Sequence, residues 1–275
     1  APMSTQTPAA TVQVGVTINA RIDTVWSFLS DRDRFLSWMT FIPGAPIPPG
    51  STFEPRVGGA LRIVFPNGGE AKGSVLEIDP PRRLVFTWGY EPDIAKTGLG
   101  PGACRVELQL VEIGAGTRVT LTHSGPMSPE LAKGHEQGWR HYLALLASQG
   151  AAAQHAPGLG AMLADYFAAW NEPDDAARRT LLAKLCEPGV RVRTQFACTD
   201  SVDELCAHIG NGLRHMPGMQ LALNGEPRHL HGFVRIPWAV KGPQGIAFAG
   251  ENFVSLTPHG RIASVVGFAN VAATG

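Results

Sequence analysis

The sequence has no excess of either charge, and charged residues are scarce in it. Lysine and arginine total 23, aspartate and glutamate also total 23, and together they make up 17% of the 275 residues. A balanced chain builds no large electrostatic field that would attract a polyanion or an anionic lipid surface. We therefore expect no nucleic-acid partner and no membrane partner.

The sequence also lacks long apolar runs and a leader pattern. No run approaches the ~20 apolar residues that span a bilayer. The first ten residues, APMSTQTPAA, lack the basic-then-apolar order of a secretory signal peptide. These features predict a cytoplasmic protein whose polar first segment, residues 1–11, is disordered.

Metal-binding patterns are absent as well. The four cysteines form no CxxC pair and no metal-ligand spacing, so the sequence predicts small, buried, reduced thiols. In HEQGWRH, residues 135–141, the two histidines are six positions apart. They therefore point in different directions on a helix, unlike the pair of a zinc protease. We expect no metal and no cofactor.

The chain does contain enough apolar material for two domains. Its length of 275 residues and its 44% hydrophobic content are typical of a globular protein with more than one core. The small-residue tract QGAAAQHAPG, residues 149–158, contributes little to a core and predicts a linker. We expect it to be a flexible boundary between a domain at 12–148 and a domain at 159–272.

The first half reads as a run of strands followed by one long helix. Residues 118–123 alternate between apolar and polar types, which predicts a half-buried strand with His123 on the apolar side. Ser128 then suits an N-cap and Pro129 suits the first helical position. This helix, predicted over about 129–148, is expected to cover an antiparallel sheet in which Trp88 faces the helix.

Two glycines, Gly134 and Gly138, lie one turn apart inside this helix. Each costs roughly 1 kcal/mol relative to alanine, so each needs a compensating reason. Either another backbone approaches closely there, or the glycines leave room for a ligand beside Trp88 and His123. In the first case the tryptophan and the histidine are ordinary core residues.

Three stretches of this half carry a family resemblance: PPRRLVFTW at 80–88, TRVTLTHSGP at 117–126, and Gly138-Trp139. They resemble the family related to the Hsp90 ATPase activator, within the START-like, Bet v 1-like (SRPBCC) group of helix-grip folds. The resemblance implies an α+β domain with an apolar hollow. Family members carry paired tryptophans after their first helix, whereas Met39 follows Trp38 here. Trp38 is a further candidate ligand residue.

The second half contains helical patterns at 159–171, 174–185 and 202–213 and a predicted strand at 190–196. Three long strand runs follow at its end, and this order is typical of the α+β class. Its stretches YFAAWNEPDDAARRTLLAKLCEPGVRV and FVSLTPHGRIASVVGF resemble SnoaL-like and ketosteroid-isomerase-like members of the NTF2-like group. The resemblance implies a cone-shaped domain with a curved antiparallel sheet around an apolar hollow. We also expect a homodimer through this half of the chain.

Ketosteroid isomerases hold an enolate oxygen with a helix tyrosine and a strand acid, and they move the proton with an aspartate. The resemblance places these positions on Tyr166, Asn252 and Thr194. Asparagine can donate a hydrogen bond as a neutral acid does, whereas threonine has no usable pKa near neutrality. The resemblance therefore implies an oxyanion-binding pair without its base, with Trp170 and Trp238 as further ligand-lining candidates.

Other groups could replace the missing base. Alternation along the strand points Glu251 away from Asn252. His229 and His231 are predicted on one face of a strand, where an H-x-H pair can bind a metal, but no third ligand is evident. A solvated or internally bonded histidine pair is the favoured interpretation.

Two apolar hollows favour the binding of small, largely apolar molecules in one or both halves. The second hypothesis is a cofactor-independent cyclase, isomerase or dehydratase of the polyketide-cyclase type. A third is a stress- or chaperone-related interaction protein. It ranks last because the co-chaperone carries a separate chaperone-binding domain that we do not find in this sequence.

Overall fold

The structure is a computed structural model that describes residues 9–92 and 97–270. Within these ranges the chain forms two compact units that divide between Gly150 and Ala151. Both units combine helices with a sheet, so the predicted α+β class is confirmed. None of the helices in these ranges is long and apolar enough to cross a membrane.

The first unit is one antiparallel sheet with helices. It begins with β1 (Ala9–Ile18), α1 (Ile22–Ser30) and α2 (Arg32–Trp38). The next strands are β2 (Thr52–Phe53), β3 (Ala60–Val64), β4 (Glu70–Asp79), β5 (Arg83–Trp88), β6 (Tyr90–Glu91), β7 (Cys104–Ile113) and β8 (Gly116–Pro126). Their order is β1-β8-β7-β5-β4-β3-β2, and β6 also pairs with β4.

The predicted disordered tail is wrong where it overlaps β1. Ala9 to Thr11 pair with residues 124–126 of β8, because these small side chains fit an edge strand with regular backbone bonds. The rest of the predicted tail, residues 1–8, lies outside the described residues.

Helix α3 (Pro129–Asn171) begins as predicted and ends much later. The Ser128 hydroxyl accepts a hydrogen bond from the backbone N–H of Leu131 at 3.2 Å, which confirms the N-cap. The helix includes residues 149–158, where we expected a flexible linker. Alanine has the highest helix propensity, so the three alanines at 151–153 favour a helix although they add little to a core, and the helix continues through Pro157. The domain limits drawn from the sequence remain predictions.

The second unit adds α4 (Asp175–Leu185), α5 (Val202–His215) and a seven-stranded sheet. The strands are β9 (Cys186–Arg193), β10 (Cys198–Thr199), β11 (Gln220–Leu223), β12 (Arg228–Leu230), β13 (Phe233–Gly242), β14 (Gly245–Leu256) and β15 (Ile262–Asn270). Their order is β10-β9-β15-β14-β13-β11, with β12 beside β13. The sheet is antiparallel except for the parallel pair of β15 and β9, which the sequence pattern did not indicate.

A buried arginine on α4 fixes the position of helix α5. The Arg178 side chain is fully buried and donates to the carbonyl oxygen of Cys206 on α5 at 3.1 Å. It also forms an ion pair with Asp175 on α4. The α4–α5 packing therefore rests on polar bonds as well as on the apolar core.

The four cysteines, Cys104, Cys186, Cys198 and Cys206, are all free. Three are buried as expected, but Cys198 is exposed. It lies on β10, a strand of two residues at the edge of the sheet, where little covers it.

Candidate functional site

The second unit contains a cavity of about 570 Å³, within the usual size range of small-molecule sites. Trp170 from α3, His208 and Leu213 from α5, Trp238 from β13 and Asn252 from β14 line it. Most of the other lining residues are apolar, and none of those in the described part of the chain carries a permanent charge.

Asn252 holds a fixed orientation in this wall. The indole Nε1–H of Trp238 donates to Asn252 Oδ1 at 3.0 Å, and Asn252 Nδ2 donates to the Tyr166 hydroxyl at 2.6 Å. Because an indole nitrogen only donates, the atom that it faces must be the amide oxygen. Asn252 therefore keeps one N–H and one lone pair of its own.

The strand register explains how Trp238 reaches Asn252. Trp238 lies opposite Gly250, and Asn252 lies two residues further along the same strand face. A Cβ atom on Gly250 would come within 2.6 Å of the Trp238 ring. Glycine at this position lets the indole lie flat enough to bond the amide.

Tyr166 is placed behind Asn252 rather than on the cavity wall. Its side chain is only 2% exposed, and it is not among the residues that line the cavity. Burial raises the pKa of the tyrosine above its ordinary value, and the Asn252 N–H only partly offsets this. The two predicted oxyanion donors are thus bonded to each other, and Asn252 alone reaches the cavity.

Thr194 lines the cavity, but its hydroxyl serves a turn. The Thr194 Oγ1 accepts hydrogen bonds from the backbone N–H groups of Phe196 and Ala197, both at 3.0 Å. The backbone N–H of Thr194 also donates to the Ala197 carbonyl at 2.9 Å. This turn ends the strand that the sequence predicted over 190–196, and the hydroxyl is not available as a base.

Gly267 on β15 keeps the space between Thr194 and Asn252 open. A Cβ atom there would overlap the Asn252 side-chain oxygen and come within 2.9 Å of the Thr194 methyl group. Sequence reasoning missed this residue, because a glycine in a strand does not reveal which side chains lie across from it.

Two more polar side chains of the lining are bonded to the backbone. Asn171 accepts from the N–H of Leu221 and donates to its carbonyl oxygen, both at 2.8 Å. Gln195 accepts from the N–H of Ala269 at 3.0 Å and donates to its carbonyl oxygen at 3.2 Å. These groups hold the cavity wall together and offer little to a ligand.

His208 is a cavity residue that sequence reasoning missed. It is half-buried on α5, and its ring lies edge-on to Trp170 with 6.3 Å between the ring centroids. Burial lowers the pKa of His208 below its ordinary value. The available signal was a histidine one turn before Gly212 on an apolar helix face, which resembles a core position.

The alternative bases and the H-x-H pair are not in the cavity. Glu251 faces away and lies 3.5 Å from Arg235. The predicted shared face of His229 and His231 is wrong, because β12 ends at Leu230 and His231 adopts a left-handed φ of 51°. His229 accepts from the N–H of Gly232 at 3.0 Å. Across residues 9–92 and 97–270, no cluster of three metal-ligating side chains occurs.

The first unit contains a smaller cavity of about 280 Å³. Trp88, Gly134, His135, Gly138 and Trp139 are among the residues that line it. A Cβ atom added to either glycine would meet no atom within 4 Å. Close approach of another backbone therefore does not explain the helical glycines, and they border open space.

His123 lies beside this cavity and not on its wall. It is fully buried, and its Nδ1 accepts a hydrogen bond from the Trp139 indole at 2.9 Å. A neutral ring with this acceptor carries its proton on Nε2. Within the described part of the chain, neither this Nε2 nor the Trp88 indole nitrogen has a hydrogen-bond partner.

His135 packs against His123, with the ring centroids 4.4 Å apart. Its Nε2 lies 2.7 Å from the Tyr90 hydroxyl and its Nδ1 lies 3.1 Å from the Met127 sulfur. The sulfur is only an acceptor, so Nδ1 carries the proton and the tyrosine donates to Nε2. Burial lowers the pKa of His123 to about 3, with a contribution from His135, and lowers that of His135 to about 4.

Trp38 lines neither of the two cavities, which differs from the expectation. It is fully buried, and its indole donates to the carbonyl oxygen of Phe28 at 3.1 Å. Its ring packs edge-on against Phe35. A large aromatic residue at the end of α2 closes the core of the first unit.

The chain is similar to known proteins of two families. Residues 19–149 match the family model of the activator of Hsp90 ATPase homolog 1-like proteins. An AHSA1-like protein from Rhizobium etli is 32% identical, over 54% of this chain and 87% of its own, with a TM-score of 0.38. The AHSA1 protein from Silicibacter pomeroyi is 24% identical, over 50% and 95%, with a TM-score of 0.41.

A SnoaL-like protein from Agrobacterium tumefaciens with a provisional isomerase assignment is 30% identical, over 43% of this chain and 98% of its own, with a TM-score of 0.39. Among curated proteins, none matches the chain. The family model thus matches the first half of the chain, and a SnoaL-like protein is among the similar structures, so both families named from the sequence are found.

Proposed function

Residues 19–149 belong to the activator of Hsp90 ATPase homolog 1-like family, and we propose that the chain binds small, largely apolar molecules. The principal site is the 570 Å³ cavity of the second unit. The 280 Å³ cavity of the first unit is a second, smaller site. Each cavity is bordered by tryptophan rings, which supply large apolar contact areas at little entropic cost.

The state of the polar groups in the larger cavity carries the proposal. Three polar side chains of the lining form their hydrogen bonds with backbone groups: Thr194, Asn171 and Gln195. The Asn252 amide is bonded to Trp238 and Tyr166. A wall built this way is rigid and largely apolar to a ligand. It suits the binding of an apolar molecule better than a reaction that needs several mobile polar groups.

Binding to the larger cavity is tested with the uncharged fluorescent probe N-phenyl-1-naphthylamine. The variant Gly212→Leu adds a side chain at the cavity wall, where a Cβ atom meets no atom within 4 Å. The matched control Gly189→Leu adds the same side chain at an open, exposed glycine of β9. We expect the probe signal to fall at least several-fold in the first variant only. Equal signals in both variants would contradict binding in this cavity.

A cofactor-independent isomerase, cyclase or dehydratase is the second candidate function. The observation in its favour is His208, a neutral imidazole that lines the same cavity as the amide of Asn252. The histidine could take a proton from a carbon next to a carbonyl group whose oxygen is held by the amide. Turnover of a β,γ-unsaturated ketone by the wild type that is lost in His208→Gln would establish this function. If the wild type does not turn over this ketone, ligand binding remains the proposed function of the cavity.

We also propose a homodimer through the sheet of the second unit. Phe253 and Phe268 are 41% and 58% exposed, and their rings lie 6.3 Å apart on β14 and β15. Val266 pairs with Phe253 and is exposed as well. An exposed apolar patch of this kind is typical of an interface between proteins.

Sedimentation of Phe268→Ser tests the dimer, with Val111→Ser, an exposed apolar residue of the first unit, as the control. We expect the first variant alone to sediment as a monomer. A monomeric wild type would contradict the dimer. The third hypothesis, a chaperone-related interaction, is supported only by the name of the matching family.

A further inference from the structure

We infer that His208 is the polar anchor for the ligand of the larger cavity, and that this ligand is an uncharged, mostly apolar molecule bearing one hydroxyl or carbonyl oxygen. The inference rests on the proposed binding function and specifies the chemistry that the cavity selects. It concerns a residue that the resemblance to ketosteroid isomerases does not single out.

Among the described residues that line the larger cavity, His208 is the one histidine. Within the described ranges of the chain, neither of its ring nitrogens has a hydrogen-bond partner, and its contact with Trp170 is between rings. The other polar side chains of the lining are tied to the backbone or to each other. Asn252 keeps one N–H and one lone pair, but its orientation is fixed by Trp238 and Tyr166. Among the described lining residues, His208 is therefore the polar side chain with both of its hydrogen-bonding atoms free for a ligand.

The protonation state of His208 defines what it recognises. Because burial disfavours the charged ring, the imidazole is neutral at pH 7 and offers one N–H donor and one nitrogen acceptor. A hydroxyl group can bond either nitrogen, and a carbonyl oxygen can accept from the N–H. Both are uncharged partners.

The rest of the cavity excludes a charged ligand. Within residues 9–92 and 97–270, its lining includes no lysine, arginine, aspartate or glutamate, so an ionised group would be desolvated without a counter-charge. Tryptophan, phenylalanine, methionine and leucine side chains make up much of the remaining surface. A largely apolar molecule with one oxygen atom near His208 therefore fits both the apolar lining and the imidazole.

Two aromatic probes of nearly the same shape separate the anchor from the apolar cavity: naphthalene, and 2-naphthol with its added hydroxyl group. The quantity measured is the ratio of their dissociation constants at the larger cavity, obtained from quenching of tryptophan fluorescence in proteins that all carry Gly138→Leu to fill the smaller cavity. The proteins compared are the wild type, His208→Leu, His208→Gln and His215→Leu. His215 is an exposed histidine on the same helix and serves as the matched control.

The expected result is that His208→Leu shifts the ratio against 2-naphthol by about fivefold to tenfold, the effect of one hydrogen bond. His208→Gln, which keeps a donor and an acceptor, should retain most of the preference, and His215→Leu should retain all of it. Continued binding of naphthalene by His208→Leu shows that this variant is folded and that its cavity is intact.

Different results would contradict the proposed binding function and the assignment of His208 as the anchor. If the wild type binds neither probe, the proposed binding function is wrong, and the anchor is wrong with it. If both probes bind and the ratio is the same in His208→Leu and in His215→Leu, the cavity binds apolar molecules but His208 does not anchor them. Loss of the preference in both leucine variants would also overturn the assignment to His208.

Discussion

The amide of Asn252 donates a hydrogen bond to the hydroxyl of Tyr166 at 2.6 Å, on the inner side of the wall of the larger cavity. Both groups are buried, so the bond joins helix α3 to strand β14 without exposure to water. A buried donor that loses its acceptor costs about 1–3 kcal/mol. The pair therefore stabilises the cavity wall and also positions the amide.

Tyr166→Phe should lower the free energy of unfolding by about 1–3 kcal/mol, because it leaves the Asn252 N–H without its acceptor. Tyr142→Phe, in the first unit, is the control and should change stability by less. Unfolding in urea, followed by tryptophan fluorescence, measures both. A Tyr166→Phe protein as stable as the wild type would show that the N–H finds another partner.

Thr194→Asp and Thr194→Val should differ in stability. The aspartate can accept the same two backbone N–H bonds as the threonine hydroxyl, whereas valine has the same shape and no acceptor. We expect the valine variant to lose about 1–3 kcal/mol of unfolding free energy and the aspartate variant to lose much less.

The same substitution tests isomerase chemistry. In Thr194→Asp the turn N–H groups favour the carboxylate form and make it a weak base, so turnover of a β,γ-unsaturated ketone should stay low. Fast turnover by Thr194→Asp would show that the new carboxylate leaves the turn and enters the cavity.

Acid should destabilise the first unit well before its carboxylates are protonated. Both His123 and His135 have folded-state pKa values, about 3 and about 4, that lie below the ordinary value of 6.5. Their contribution to stability is fully present above pH 6.5 and falls as the unfolded state takes up protons. The loss is on the order of 1.4 kcal/mol per pH unit for each histidine between about pH 6 and pH 4.

Thermal unfolding of the wild type and of His135→Gln between pH 7 and pH 4.5 measures this effect. The variant keeps an amide near Tyr90 and does not titrate, so its melting temperature should fall less steeply with acid. His141→Gln replaces a half-buried histidine of the same helix that lies outside this pair, and it should follow the wild type. Parallel curves for all three proteins would refute the assignment to the buried ring.

Gly134→Ala and Gly138→Ala should each raise the free energy of unfolding by about 0.5–1 kcal/mol. Alanine is the better helix former, and a Cβ atom at either position meets nothing within 4 Å. Gly125→Ala is the contrasting case, because its Cβ atom would overlap the Cys104 sulfur and should destabilise the protein. Destabilisation by Gly138→Ala would mean that the space beside this helix is closed in solution.

Local patterns predicted the elements that frame both cavities. The alternation before Ser128 and the cap itself placed β8 and the start of α3, because strand period and capping depend on neighbouring residues. Likewise Asp174 accepts from the N–H of Ala177 and begins α4 as predicted.

Features that depend on residues distant in the sequence were missed. The bond between Trp238 and Asn252 needs the strand register, and the Thr194 turn needs the backbone beyond β9.

The site residues follow the same division. Gly134 and Gly138 pointed to the smaller cavity because glycine inside a helix is unfavourable wherever it occurs. His208 gave no such signal, since a histidine on an apolar helix face fits a core as well as a cavity wall. The tract at 149–158 was predicted as a flexible linker but is helical, because small side chains indicate a weak core and do not prevent a helix.

The most direct test of the binding function is the stoichiometry of one apolar probe, N-phenyl-1-naphthylamine, measured by calorimetry on three proteins. Gly212→Leu fills the larger cavity and Gly138→Leu fills the smaller one, and neither substitution meets an atom within 4 Å at Cβ. We expect two sites in the wild type, with the tighter site lost in Gly212→Leu and the weaker site lost in Gly138→Leu. Heat changes that are the same in all three proteins, or absent from the wild type, would contradict it.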